Sequence, residues 1–153
     1  MTTESNERQA FNAYKKALLK ELGSKALDDQ TVNKAGKHLF AAWSGVFPVD
    51  RVKLIPYHYC VINTDPHDKS GEHWIACYCT KKRAYVWDSY SRPIDKLVPQ
   101  LIKTIHKSGM TLGKTNKIFQ HEQIGFTSEV CGVLSISWLL VVMQYGISRA
   151  RNI

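Results

Sequence analysis

Val130-Cys131-Gly132-Val133-Leu134-Ser135-Ile136-Ser137-Trp138-Leu139-Leu140-Val141-Val142 is the most apolar stretch of the chain. Its apolar positions are too dense for a one-sided stripe, so the stretch reads as a helix buried on nearly every side. Thr127 and Ser128 suit an N-cap, and Glu129 suits the first turn. Gly146 supplies the stop. Cys131 then falls in the first turn, where the positive end of the helix dipole favours a thiolate. Position alone does not separate a nucleophile from a packed thiol, because free cysteine is among the most buried residue types.

The other elements must supply the walls around that helix. Residues 7–22 carry Phe11, Tyr14, Leu18, Leu19 and Leu22 at helical spacing and end at Gly23, which predicts an amphipathic helix on the core. Asp28 or Asp29 caps a second helix through Val32, Ala35 and Leu39 to about Phe40. Trp43-Ser44-Gly45-Val46-Phe47-Pro48 reads as an aromatic turn segment. Tyr57 to Asn63, His73 to Thr80 and Ala84 to Ser89 are strand candidates, rich in aromatic and β-branched residues. Lys81-Lys82-Arg83 joins the last two as an antiparallel hairpin. Pro93 opens a third helix from Ile94 to about His106, and a short strand fits Lys117 to Gln120. Helices, then strands, then helices, without regular alternation, predict an α+β fold. At 153 residues the chain reads as one domain, residues 1–153, with the helix of residues 1–24 packed on the core.

The composition, 44% hydrophobic and 22% charged, is that of a globular protein and excludes a low-complexity chain. The polar amino terminus reads as having no signal peptide, and the apolar stretch is shorter than the roughly 20 residues of a membrane span. These features predict a protein that is neither secreted nor in a membrane. Cys60, Cys77, Cys79 and Cys131 form no Cys-x-x-Cys pair, so neither a structural zinc site nor any other metal site is expected. Cys77 and Cys79 lie two apart on a strand and point the same way, which disfavours a bridge between them. The net charge of +8 suits weak, salt-sensitive contact with phosphate backbones.

The hairpin brings two titratable groups together. With its loop centred near Thr80-Lys81, cross-strand partners have numbers summing to about 161, and His73 faces Asp88. Directly opposed residues have Cβ atoms roughly 4.5–5.5 Å apart. A carboxylate there orients the imidazole and stabilises its protonated form. Cys131, His73 and Asp88 make a nucleophile, its base and an orienting acid. The Cys131 N–H and an upstream amide, Gln120 or Gln123, could serve an oxyanion.

Gly71-Glu72-His73-Trp74, then Val86-Trp87-Asp88-Ser89, Gln123 and Cys131-Gly132, resemble the adenain-like cysteine proteases. That family includes the adenovirus maturation protease, related enzymes of virophages and Maverick/Polinton elements, and the cellular SUMO proteases. Its chain order is His, Asp, Gln, Cys, opposite to papain's. Phe47-Pro48-Val49-Asp50 and Val61-Ile62-Asn63-Thr64 look like the viral branch, and the resemblance spans about residues 35 to 145. It implies a papain-like core with a Cys-bearing central helix on a small, mostly antiparallel sheet. It implies Cys131 as nucleophile, His73 as general base and later acid, Asp88 as its orienter, and Gln123 beside the Cys131 N–H as oxyanion donor. Trp74 would flank the site. Gln123 stands eight residues before Cys131, where the family usually places it six or seven before; a bulge at Gly125 accommodates the difference, and Gln120 is the alternative.

The implied function is a thiol endopeptidase cutting capsid or core precursors during virion maturation, in the particle and the infected cell. It commonly cuts after small residues, Gly above all. No cofactor is required, although some members use DNA or a viral peptide as activator. Two competing readings remain: an isopeptidase acting on ubiquitin or SUMO conjugates, and a basic nucleic-acid-binding module whose Cys131 and His73 only pack.

Overall fold

A computed structural model describes residues 4–69, 73–115 and 130–153. Among the described residues the fold is α+β, with six helices around a five-stranded mixed sheet. The helices are α1 (Asn6–Leu22), α2 (Asp29–Leu39), α3 (Ile94–Leu97), α4 (Pro99–Lys107), α5 (Cys131–Tyr145) and α6 (Ile147–Ala150). The strands are β1 (Trp43–Pro48), β2 (Tyr59–Asn63), β3 (Trp74–Cys79), β4 (Arg83–Trp87) and β5 (Thr111–Gly113), adjacent in that order. The inner pairs β2–β3 and β3–β4 are antiparallel and the outer pairs β1–β2 and β4–β5 are parallel, so the sheet is evenly mixed rather than mostly antiparallel as expected.

Both faces of the sheet are covered, and the side chains divide strictly by parity. Val61, Ala76, Tyr85 and Trp87 face one core with Phe11 of α1, Val32 of α2 and the length of α5. Cys60, Ile62, Ile75, Cys77, Ala84 and Val86 face the other, against Ile94 of α3 and Leu101 and Ile105 of α4. A strand covered on both sides needs no polar alternation, which is why β2 to β4 read as nearly continuous apolar runs. Every residue of α5 from Cys131 to Val142 is buried, as its composition predicts. Gly146 ends it in the left-handed region, φ 86°, with its N–H on the Val142 carbonyl. No helix of the described residues is long and apolar enough to cross a membrane.

The two amino-terminal helices form by the cues read in the sequence. The Ser5 hydroxyl accepts from the Arg8 N–H and Gly23 closes α1, while the Asp28 carboxylate accepts from the Thr31 N–H at the start of α2. Four further expectations are corrected. Trp43–Pro48 is an edge strand rather than a turn segment: a bulge at Ser44 and the positive φ of Gly45 absorb its irregularity, and Pro48 sits at the end of the edge, where no ladder donor is missed. The helix expected over Ile94 to His106 is two helices, because Pro99 drives Val98 out of helical geometry to φ −138°, ψ 69°. The short strand Thr111–Gly113 was not expected. The hairpin register also differs: partners sum to 163, as in Ala76 with Trp87, and the Thr80 N–H bonds the Arg83 carbonyl around a two-residue Lys81-Lys82 loop. The strand expected at Lys117 to Gln120 and the cap at Thr127, Ser128 and Glu129 lie outside the described residues.

Candidate active site

Three chain segments meet at the end of the sheet where β3 begins and β4 ends. His73 immediately precedes β3, Asp88 immediately follows β4, and Cys131 is the first residue of α5. In the observed register Asp88 falls level with Ile75, two residues from His73. A two-residue shift keeps side chains on the same face, where a one-residue slip would not. The pair therefore meets on the diagonal: the His73 Nε2 lies 2.6 Å from the Asp88 Oδ1. Both are buried, with side-chain exposures of 7% and 1%.

Cys131 reaches the same ring from the helix. Its side chain lies near enough to be one of the groups that raise the His73 pKa. The Trp74 backbone N–H donates to the Cys131 Sγ over 3.3 Å, and the Ser135 hydroxyl, one turn further along α5, donates to the Trp74 carbonyl over 3.3 Å. These two bonds pin the first turn of α5 to the start of β3. Trp74 is half-buried, and its indole N–H donates to the Leu27 carbonyl over 3.0 Å. Gly132 fits beneath it, since a Cβ there would stand 3.2 Å from the Trp74 ring and 3.3 Å from Leu27. Trp74 thus flanks Cys131 while packing on the core.

The electrostatics follow from burial and pairing. Burial alone would strip the proton from His73, but the hydrogen bond to Asp88, and then Cys131, override it and push its pKa up to about 9. Burial alone would likewise neutralise Asp88; its bonds to His73 and Arg92 hold it well below the usual carboxylate range instead. Near neutral pH the ring is an imidazolium held between a carboxylate and a sulfur. Such an arrangement activates a thiol as a nucleophile and carries a proton ready for a leaving group.

Two neighbours escaped the sequence reading. Arg92 donates from Nε to the Asp88 Oδ2 over 2.8 Å, from Nη2 to Oδ1 over 3.2 Å, and from its backbone N–H to Oδ2 over 3.1 Å. Ser91, at φ 58°, turns the chain back so that Arg92 can do this, and its N–H closes the turn on the Asp88 carbonyl at 2.9 Å. Tyr90 lies 5.4 Å from the His73 ring, centroid to centroid. The available signal was an arginine four residues after the acid and just before Pro93, outside any helix that would give such spacing a meaning.

Gln123 and Gln120 lie outside the described residues. Cys60, Cys77 and Cys79 are buried free thiols in the core beneath the sheet, on strands β2 and β3 and away from the His73–Asp88 pair. Among the described residues no group of three or more His, Cys, Asp or Glu side chains is placed to hold a metal ion. Compared with known proteins, the chain matches no protein-family model and no curated protein.

Proposed function

We propose that the chain is a cysteine endopeptidase of the adenain-like type, with a papain-like core and Cys131, His73 and Asp88 as its catalytic residues. The observation that carries this reading is a buried imidazole bonded at Nε2 to a buried carboxylate, next in the chain to Trp74, whose N–H holds the thiol at the head of the central helix. The Cys131 sulfur attacks the scissile carbonyl carbon. The Cys131 N–H, one of the donors a helix start leaves unpaired, meets the oxyanion, and the resemblance assigns the second donor to Gln123, with Gln120 as the alternative. His73 gives its proton to the departing amine, leaving a thioester. The neutral ring then takes a proton from water, the hydroxide attacks the thioester carbon, and the released thiolate recovers its imidazolium partner. Asp88 holds the ring in the orientation that both transfers use.

The resemblance in residue order directs the substrate side of this reading: capsid or core precursors, cut during particle maturation in the virion and infected cell. The deciding experiment co-expresses wild type or Cys131→Ala with the structural proteins encoded beside it and maps new termini by mass spectrometry. Processing by wild type alone is the expected outcome, and retained cleavage with Cys131→Ala ends the proposal. Iodoacetamide should label Cys131 ahead of Cys60, Cys77 and Cys79. Turnover of a ubiquitin or SUMO C-terminal amide without precursor processing would reassign the substrate to conjugates.

A further inference from the structure

We propose that Arg92 is a positioning residue that shares the Asp88 charge and so limits how tightly His73 holds its proton; this inference rests on the cysteine-peptidase reading of the site. The geometry is that of a divided carboxylate. Asp88 accepts four hydrogen bonds: Oδ1 from His73 and the Arg92 Nη2, and Oδ2 from the Arg92 Nε and backbone N–H. Fork-like guanidinium pairing of this kind is charge-assisted and directional. The guanidinium carbon also lies 4.9 Å from the Tyr90 ring centroid, and Tyr90 in turn packs on His73. His73, Asp88, Arg92 and Tyr90 therefore close a circuit of contacts around the imidazole.

The circuit matters because Asp88 is buried. A carboxylate out of water pulls hard on any cation beside it. Were His73 to carry that charge alone, its proton would be slow to leave for the departing amine, and the ring would seldom be neutral when water must be deprotonated. A guanidinium on the same carboxylate divides the pull. Among the described residues, Cys131 approaches the pair from α5 and Tyr90 packs on it from the turn. Asp95 and Lys114 stand across a cavity of about 400 Å³ that Asp88 and Arg92 also line.

The test replaces Arg92 and follows the His73 proton directly. Protein carrying ¹⁵N-labelled histidine is titrated by NMR, with His73 assigned by its loss in His73→Gln. In Arg92→Gln the backbone N–H still holds the Asp88 Oδ2, while the guanidinium charge and its two side-chain hydrogen bonds are gone. The His73 titration should move upward by about one pH unit, a tenfold tighter hold on the proton. Arg92→Lys, which restores the charge without the fork, should recover most of the shift. Arg92→Met keeps an unbranched apolar side chain without the charge and gives the same reading should the glutamine variant not fold. An unmoved titration overturns the proposal, because Arg92 is then a spectator. A downward shift also overturns it, because Arg92 then only braces Asp88. Selective alkylation of Cys131 in wild type, measured separately, tests the peptidase reading, so failure of one leaves the other legible.

Discussion

Among the described residues two histidine–aspartate pairs are made of the same groups in opposite surroundings. His73 and Asp88 sit at 7% and 1% side-chain exposure between sheet and helix. His67 and Asp50 sit at 44% and 28%, on the loop after β2 and the short 3₁₀ turn after β1. In each pair a ring nitrogen meets a carboxylate oxygen, and in each the carboxylate is held below its ordinary range. What separates them is the partner beyond the carboxylate and the water around it. The buried pair adds Arg92 on one side and Cys131 on the other; the exposed pair adds a backbone N–H, from His67 to the Asp50 Oδ1 at 2.8 Å. A His–Asp contact is therefore no signature of chemistry by itself. Burial makes its charge strong, and in the proposed enzyme the neighbouring thiol makes it useful.

The largest effect that could break this contrast is on activity. His73→Gln should lower precursor processing by about 10⁴-fold, on the scale of losses when a member of a nucleophile–base–acid set is removed. His67→Gln should leave processing within about twofold. Equal losses would mean that the exposed pair is part of the machinery. Next comes Asp88→Asn, which keeps the shape and removes the charge. It strands Arg92 and His73 without their anion, and loss of one partner from a buried pair costs about 3 kcal/mol or more. The urea midpoint should fall accordingly, while Asp50→Asn should leave it unchanged.

The third test uses pH. The His73 pKa is raised in the folded state, so its stabilisation is full below about 6.5 and is lost as pH rises through about 9. Asp88 works in the other direction: its folded pKa is depressed, so its contribution holds above about 4 and is lost as pH falls through the folded value. The pair stabilises most between about pH 4 and 6.5. Urea midpoints should therefore decline from pH 6.5 to 9.5, by on the order of 3 kcal/mol in stability. His73→Gln should flatten that limb and His67→Gln should preserve it.

The sequence carried the central helix and the hairpin because each is announced locally. Thirteen residues from Val130 to Val142 are too apolar to face water on any side, and two lysines between strands leave room for little but a tight turn. Register is a different kind of information. Whether the hairpin closes on Thr80-Lys81 or on Lys81-Lys82 is set by the Thr80–Arg83 bonds. His73 and Asp88 meet despite the two-residue difference because strand parity, unlike strand register, was legible. β1 was hidden by Gly45 and Pro48, which suit a turn in the middle of a sheet but are tolerated at its edge. The break at Val98 was open to view in Pro99. Arg92 was not, since its role depends on a left-handed Ser91 that no residue preference announces.

The smallest expected effect concerns the exposed pair itself. The Asp50 carboxylate takes both the ring and the backbone N–H of His67, and the neighbouring Val49 N–H bonds the Asp65 carbonyl at 3.2 Å. Together these fasten the loop of residues 65–69 to the end of β1. An exposed ion pair adds little to global stability, and salt screens it, so its influence should stay local. The hydrogen bond from His67 is the main cause of the lowered Asp50 pKa, so the fastening persists through the ordinary carboxylate range and loosens as pH falls through the lowered folded value. In His67→Ala the amides of the 65–69 loop should exchange faster by a few-fold, with the thermal midpoint and the exchange of β3 unaltered. Were β3 to loosen as well, the exposed pair would be supporting His73 through the loop that leads to it. The two pairs would then be one mechanical unit rather than a working site and a surface latch.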